Sequence, residues 1–324
     1  MHNKRLTIGI LYDRPDDYPD VKGPSDRFAE FEPESTIEAM EAAIQYLGHD
    51  ALRIGAPKEL LKHRPEVDLI WNIAEGHTTR NREAWAPVLC EMHRIPCLGS
   101  DAATLSLSLD KVMTKQLCQF LDIPTPKWQV QHFQQPFQPW EYDFPVFVKP
   151  RYEGTAKGID SHSVINNNRD LEHFVDDLKK QYQQDVLVEF FLPGNEYTCA
   201  VAGYPLKPLP LLQRALHRNS KVGLHAIKNS FEDDYELSHH LPCKLEEQLQ
   251  AWTMKLSSFM EIKDFARIDN KMDEAGNPYF LEINPLPTFA VDNTFAIIAE
   301  IEGKSYEEYL GRILEQAIER LLYT

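Results

Sequence analysis

The chain lacks any run of 18 or more apolar residues, carries no excess of basic charge, and has neither a Cys-x-x-Cys pair nor an internal repeat. Each absence excludes something. Without a long apolar run no membrane-spanning helix is expected. The charged opening at residues 1–5 leads straight into a short strand, so no secretory signal is expected either. Fifty Asp and Glu against 34 Lys and Arg give a formal net charge of −16. Sequence-independent nucleic-acid binding needs a basic face and is excluded, whereas a local site for an anionic ligand is not. The five cysteines, Cys90, Cys97, Cys118, Cys199 and Cys243, are odd in number and irregular in spacing. Reduced, mostly buried thiols and a cytoplasmic location follow, with no disulfide framework and no zinc site. The 12 histidines include His239-His240 but no His-Glu-x-x-His.

What is present is a globular composition, 43% hydrophobic over 324 residues, enough for two or three cores. The first hundred residues alternate. Strands are expected at 6–12, 50–54, 67–72 and 95–100, with helices at 34–47 and 83–94. That order implies a parallel α/β layer, whose ligands gather at the carboxyl ends of the strands. Thereafter the pattern reads as a helix at 111–121, a Gln- and Pro-rich connector at 129–141, a strand at 144–150 bearing a lysine, a helix at 171–181 and a partner strand at 186–189. A long polar loop at about 217–240 precedes a hairpin and a closing amphipathic helix at 306–322.

The hairpin is the most informative unit. Phe265-Ala266-Arg267-Ile268-Asp269 and Phe280-Leu281-Glu282-Ile283-Asn284-Pro285 each alternate as strands do, and Asp273 to Pro278 between them is turn chemistry. Arg267 and Asp269 share one face of the first strand; Glu282 and Asn284 share one face of the second. Ile268, Leu281 and Ile283 are expected to point the other way, into a core. If the polar faces coincide, two carboxylates meet, and at about 4 Å they repel by about 4 kcal/mol at an effective dielectric near 20. A cation relieves this. Oxygen-only ligands suit Mg²⁺, which commonly carries substrate phosphates as well.

Two further units accompany it. Lys149 ends a strand and is followed by Glu153-Gly154-Thr155-Ala156-Lys157-Gly158, where glycines free backbone N–H groups for an anion and Thr155 adds a donor. This is not a Walker loop; the alternative is an ordinary glycine turn with surface lysines. Glu189 ends an apolar strand and Glu196 follows seven residues later; they suit a nucleotide's ribose and amino groups, or else are surface glutamates flanking a turn.

Taken in order, these units resemble the ATP-grasp superfamily and, within it, the D-alanine–D-alanine ligase-like proteins. The resemblance spans nearly the whole chain. It runs through Asn72-Ile73-Ala74-Glu75-Gly76, Arg80-Asn81-Arg82-Glu83-Ala84, Leu109-Asp110-Lys111 and the Lys149 loop, and is most specific at Arg267-Ile268-Asp269 and Glu282-Ile283-Asn284-Pro285-Leu286-Pro287. It implies a three-domain α/β ATP-grasp fold, with an N-terminal parallel α/β substrate domain at 1–104, a central subdomain at 105–185 and a catalytic domain at 186–324. It implies an ATP-dependent carboxylate–amine ligase that works through an acyl phosphate and releases ADP and phosphate. Asp269, Glu282 and Asn284 would hold Mg²⁺, or Mn²⁺ in its place. Arg267 would stabilise the transferring phosphoryl group and the tetrahedral intermediate. Lys111 and Lys149 would bind phosphates under the Glu153–Gly154–Thr155 loop. Glu189, with the backbone of Phe190 to Leu192, would meet adenine, and Glu196 the ribose. Lys228 would reach the γ-phosphate as its loop closes, unless it is simply one of several loop lysines. Glu34 would orient the first substrate's ammonium group, or else complements a helix dipole. The resemblance also implies amino-acid substrates, no nucleic-acid or membrane partner, and a homodimer.

The departures lie on the substrate side. Thr288 stands where a glycine N–H is expected to serve the oxyanion. Asp292 and Asn293 replace a His-Ser pair for the second substrate's carboxylate, which Asp292 would repel. His77-Thr78-Thr79 replaces a glycine-rich turn beside Glu75, and Ala156 replaces a serine. Ligase chemistry on amino acids other than D-alanine, or on a natural-product intermediate, is therefore the alternative, and a non-catalytic nucleotide-binding protein is the remaining one.

Overall fold

The computed structural model describes residues 4–214, 237–238 and 242–323. Lys228, His239 and His240, and most of the polar loop expected at 217–240, lie outside the described residues.

The first layer is a four-stranded parallel sheet of β1 (Thr7–Leu11), β2 (Asp50–Gly55), β3 (Leu69–Asn72) and β4 (Cys97–Leu98) in the order β2-β1-β3-β4. The connections are the helices α1 (Glu34–Tyr46) and α2 (Trp85–His93) and the short helical turn Pro57–Leu61. β1 and β3 are buried on both faces, as parallel strands between covering layers are. α3 (Ala102–Leu109), capped by Asp101, and α4 (Lys111–Phe120), capped by Asp110, lead out of this layer.

The second layer is the antiparallel sheet β5-β8-β6-β7, made of β5 (Trp128–Gln131), β6 (Val146–Pro150), β7 (Val164–Ile165) and β8 (Val186–Phe190), and backed by α5 (Asn168–Tyr182). The connector at 129–141 thus opens as an edge strand, paired to β8 from Trp128 to Gln131. β8 pairs with β5 and β6, so a division at 185 would separate it from its sheet.

The third layer holds β9 (Glu196–Ala202), β10 (Lys207–Pro208), β11 (Leu212–Arg214), β12 (Leu237–Ser238), β13 (Phe265–Met272) and β14 (Pro278–Asn284), with β9 and β13 at its centre. It is covered by α6 (Cys243–Phe259), α7 (Thr294–Ile301) and α8 (Tyr306–Leu322). α8 returns to pack on α1, and one continuous core joins the first layer to the third. At its centre Phe289 meets Trp71, Phe265 and Phe295 at ring-centroid distances of 5.4, 5.0 and 5.2 Å. Among the described residues no helix is long and apolar enough to cross a membrane.

Phe289 lies one residue after Thr288, so this aromatic cluster also anchors the segment that follows β14. Truncating it leaves a cavity that the three surrounding rings cannot fill. Phe289→Ala is expected to lower unfolding stability by about 3–5 kcal/mol, read by urea denaturation. A loss below about 1 kcal/mol would show that the cluster is not the anchor.

Candidate active site

The floor of the site is set by strand register. β13 and β14 are antiparallel, with Arg267 opposite Asn284 and Asp269 opposite Glu282. Directly opposed residues point to the same face, so the two polar faces coincide. β9 pairs on the other side of β13, and its Thr198, opposite Asp269, donates its hydroxyl to Asp269 Oδ1 at 2.7 Å. Arg267 Nε donates to Asp269 Oδ2 at 3.1 Å. Burial alone would lower Arg267's pKa, but Asp269 and Glu282 outweigh it and hold the guanidinium charged. The register shifts between Asp269 and Asn270, where Glu282 and Phe280 are the successive partners. Leu281 is the extra residue of that bulge. It therefore lines the cleft beside Glu282 instead of joining Ile268 and Ile283 in the core, a correction to the simple alternation expected of the strand.

Above this floor lies a cleft of about 770 Å³, its open mouth included. Its lining joins apolar Phe147, Ile159, Phe190, Phe191, Leu192 and Leu281 to cationic Lys111, Lys149 and Lys271. Phe147, Lys149 and Glu189 share one face of the second sheet, since Phe147 is opposite Glu189 and Lys149 lies two residues on. Glu189 is 2% exposed and is gripped by Lys115 and Lys149, each at 2.6 Å. Burial pushes Glu189 up, but the two ammonium groups outweigh it and hold the carboxyl down at about 2. Glu189 is thus first a counter-ion for two buried lysines. Lys115 was not anticipated. Its only sequence signal is the four-residue spacing from Lys111, which puts both on one face of α4. Glu196 meets Lys271 at 3.6 Å along the β9–β13 pairing. Lys111 Nζ donates to the Glu153 carbonyl and lies 3.8 Å from Glu282.

The glycine loop is pinned from the first layer. Glu30 accepts from Arg82 at 2.6 Å, from Gly154 N at 2.7 Å and from Lys157 Nζ at 2.8 Å. Burial works against its charge, yet Arg82 and Lys157 hold Glu30 down at about 2. A Cβ on Gly154 would stand 2.6 Å from Glu30 Oε1, so only glycine admits this contact. Asp26 accepts from Gly158 N at 3.0 Å and from the Tyr182 hydroxyl at 2.6 Å. Between these anchors Thr155 and Ala156 are left-handed, with φ of 46° and 55°, a conformation that costs roughly 1–2 kcal/mol each. Thr155 is exposed and lines the neighbouring polar cavities, not the first cleft.

A second cleft of about 820 Å³ adjoins the first and gathers Glu75, Arg267, Thr288, Asp292 and Asn293. Thr288 Oγ1 accepts from Ala290 N at 3.0 Å, and Asn293 Oδ1 caps α7 through Thr294 N at 2.8 Å. Glu34 does not line it. As the first residue of α1, Glu34 turns back toward β2 and is paired with Arg14 at 3.0 Å and with Arg53. The turns that precede the helix instead place Glu30 and Glu32 on the cleft wall.

Comparison with known proteins follows this geometry. Residues 117–315 match the family profile described as D-ala D-ala ligase C-terminus. The D-alanine–D-alanine ligase B of Clostridium perfringens is 30% identical over 236 residues, 70% of this chain and 73% of that protein. The D-alanine–D-alanine ligase of Aquifex aeolicus is 27% identical over 288 residues, 86% of this chain and 93% of that protein. The crystal structure of the D-alanine–D-alanine ligase of Bacillus anthracis complexed with ATP superposes with a TM-score of 0.76 at 18% identity, over 97% of this chain and 98% of that one. This last likeness establishes the ATP-grasp fold.

The Glu189 cluster generates a stability prediction. Its pKa falls from 4.5 to about 2 on folding, so its contribution is complete above pH 4.5 and is lost as the pH falls toward 2. The contribution is about 3 kcal/mol. Glu189→Gln leaves two buried ammonium groups unpaired and is expected to cost about 3–5 kcal/mol at pH 7. Acid unfolding between pH 4.5 and 2 should then be shallower in the variant than in the wild type. Equal acid slopes would dismiss Glu189 as the titrating partner.

Proposed function

The chain belongs to the D-alanine–D-alanine ligase family, and from that membership and the site we propose that it is an ATP-dependent ligase joining an amino-acid carboxylate to an amine. The observation that carries the proposal is the coincidence of Arg267, Asp269, Glu282 and Asn284 on one face, between an amphipathic cleft and a polar one. The first cleft suits ATP, with the planar base between the Phe147, Phe191 and Leu192 walls and the phosphates toward Lys111 and Lys149. The second suits the molecules to be joined.

The donor set fits Mg²⁺ or Mn²⁺. Asp269, Glu282 and Asn284 offer only oxygen, and no group of three His, Cys, Asp or Glu suited to a metal occurs among the described residues. A cation that keeps places for phosphate oxygens needs only such a partial set. When bound it would neutralise the phosphate charge that Asp269 and Glu282 otherwise repel. The chain's own groups do the rest. Lys111 and Lys149 orient the phosphates, and the pinned glycine loop covers them. The substrate carboxylate then attacks the γ-phosphorus, giving an acyl phosphate and ADP. Arg267 lines the second cleft beside Glu282, which lines both, and steadies the charge that develops on the transferring group and, when the amine attacks the acyl carbon, on the tetrahedral oxygen. Phosphate leaves, the amine loses its proton, and the amide remains. Lys228 would join the phosphate contacts.

A test reads ADP release with Mg²⁺, ATP and a panel of amino acids of both hands. The wild type should require an amino acid, and Asp269→Asn and Glu282→Gln should each lower kcat by at least about 100-fold. Amino-acid-dependent release that survives both changes would refute the assignment of the floor.

A further inference from the structure

A charged row runs along the floor strand. Alternate residues of a strand share a face, so Arg267, Asp269 and Lys271 of β13 point the same way. Lys271 stands opposite Glu196 of β9, as Asp269 stands opposite Thr198. Lys271 and Glu196 are each 7% exposed, and both line the first cleft. Their charged atoms are 3.6 Å apart, too far for a hydrogen bond. Among the described residues neither side chain makes a hydrogen bond.

The pair is balanced in charge, and so are its neighbours. Glu189 holds Lys149 and Lys115, Glu282 lies 3.8 Å from Lys111, and Lys157 meets Glu153. What the pair lacks is hydrogen bonds, and its chemistry narrows what can supply them. An ammonium only donates and a carboxylate only accepts. A phosphate oxygen set on Lys271 would face the carboxylate of Glu196, and a metal cation set on Glu196 would face the ammonium of Lys271; each is repelled by one member. A hydroxyl accepts from the one and donates to the other.

Position agrees with this. Two residues along a strand span about 7 Å, so Lys271 lies that far beyond Asp269, on the side away from Arg267. With phosphates over Asp269 and Glu282, and the base against Phe147, Phe191 and Leu192, the sugar is the part of the nucleotide that reaches Lys271. We propose that Lys271 determines nucleotide specificity: together with Glu196 it reads the ribose hydroxyls and selects a ribonucleotide over its deoxy forms. Lys271 donates to a ribose hydroxyl, and Glu196 accepts from that hydroxyl or from its neighbour. The inference rests on the ATP half of the ligase reading and not on which substrates are joined.

The probes are ADP, 2′-deoxy-ADP, 3′-deoxy-ADP and inosine diphosphate. Each is bound with Mg²⁺ to the full chain and measured by calorimetry, without turnover. The wild type should bind ADP at least about 10-fold tighter than one of the deoxy forms, about 1.4 kcal/mol. Lys271→Met should weaken ADP and leave that deoxy form unchanged, so that the preference shrinks several-fold. Lys271→Arg, which keeps the charge and the donors, should retain most of it. The double variant Lys271→Met/Glu196→Gln leaves no member of the pair charged, and repeats the test if Lys271→Met does not fold. Equal binding of ADP and both deoxy forms by the wild type would overturn the inference, as would a preference that persists in Lys271→Met and in the double variant. An equal loss for every nucleotide marks a phosphate contact or a structural role and would overturn it as well. So would a change confined to ADP against inosine diphosphate, which places Lys271 at the base. Amino-acid-dependent ADP release in any of these cases would still sustain the ligase reading. A sugar preference set by Lys271 without amide formation would sustain the inference against that reading. Failure of every nucleotide to bind would overturn both.

Discussion

The site depends on one register. β13 and β14 are paired so that Asp269 opposes Glu282 and Arg267 opposes Asn284. A slip of β14 by one residue would send Glu282 and Asn284 toward the core and Ile283 toward solvent. The flanking β9, with Thr198 bonded to Asp269, and the core on the opposite face hold the pairing. Everything proposed for the molecule, from cation to phosphate to acyl transfer, takes its position from this hairpin.

Charge is segregated around it. The chain is strongly acidic overall, yet Lys111, Lys115, Lys149 and Lys271 are buried together at the nucleotide side. Glu189 grips Lys115 and Lys149, Glu196 meets Lys271 and Glu282 lies near Lys111, so each of these lysines has a counter-ion. On the other side carboxylates outnumber the cations that face them. The Glu30 network joins the two regions. Through Gly154 and Lys157 it ties the glycine loop to the segment that also walls the second cleft.

Much of this was legible in the sequence, for a physical reason. The parallel layer, the hairpin and the helix at 306–322 are periodic, and period is what a single sequence displays. The nucleotide lysines and the metal-side acids end or alternate along those strands, so they could be named together. Where the reading failed, no period exists to be read. Leu281 enters the cleft because of a bulge that alternation does not encode. Lys115 and Glu30 acquire meaning only from partners far away in the chain. Glu34 looked suitable as a helix-opening carboxylate, but Arg14 and Arg53 claim it. α6 went unread because its apolar stripe is interrupted by Thr253 and Ser257, both of which are buried.

The central claim is that the hairpin floor carries the cation that meets the nucleotide's phosphates. Anomalous diffraction from crystals grown with Mn²⁺ and a non-hydrolysable ATP analogue tests it most directly. The account predicts manganese peaks bounded by Asp269, Glu282 and Asn284, with the phosphates reaching toward Lys111 and Lys149. Nucleotide bound in the cleft with manganese elsewhere, or with none, would contradict it.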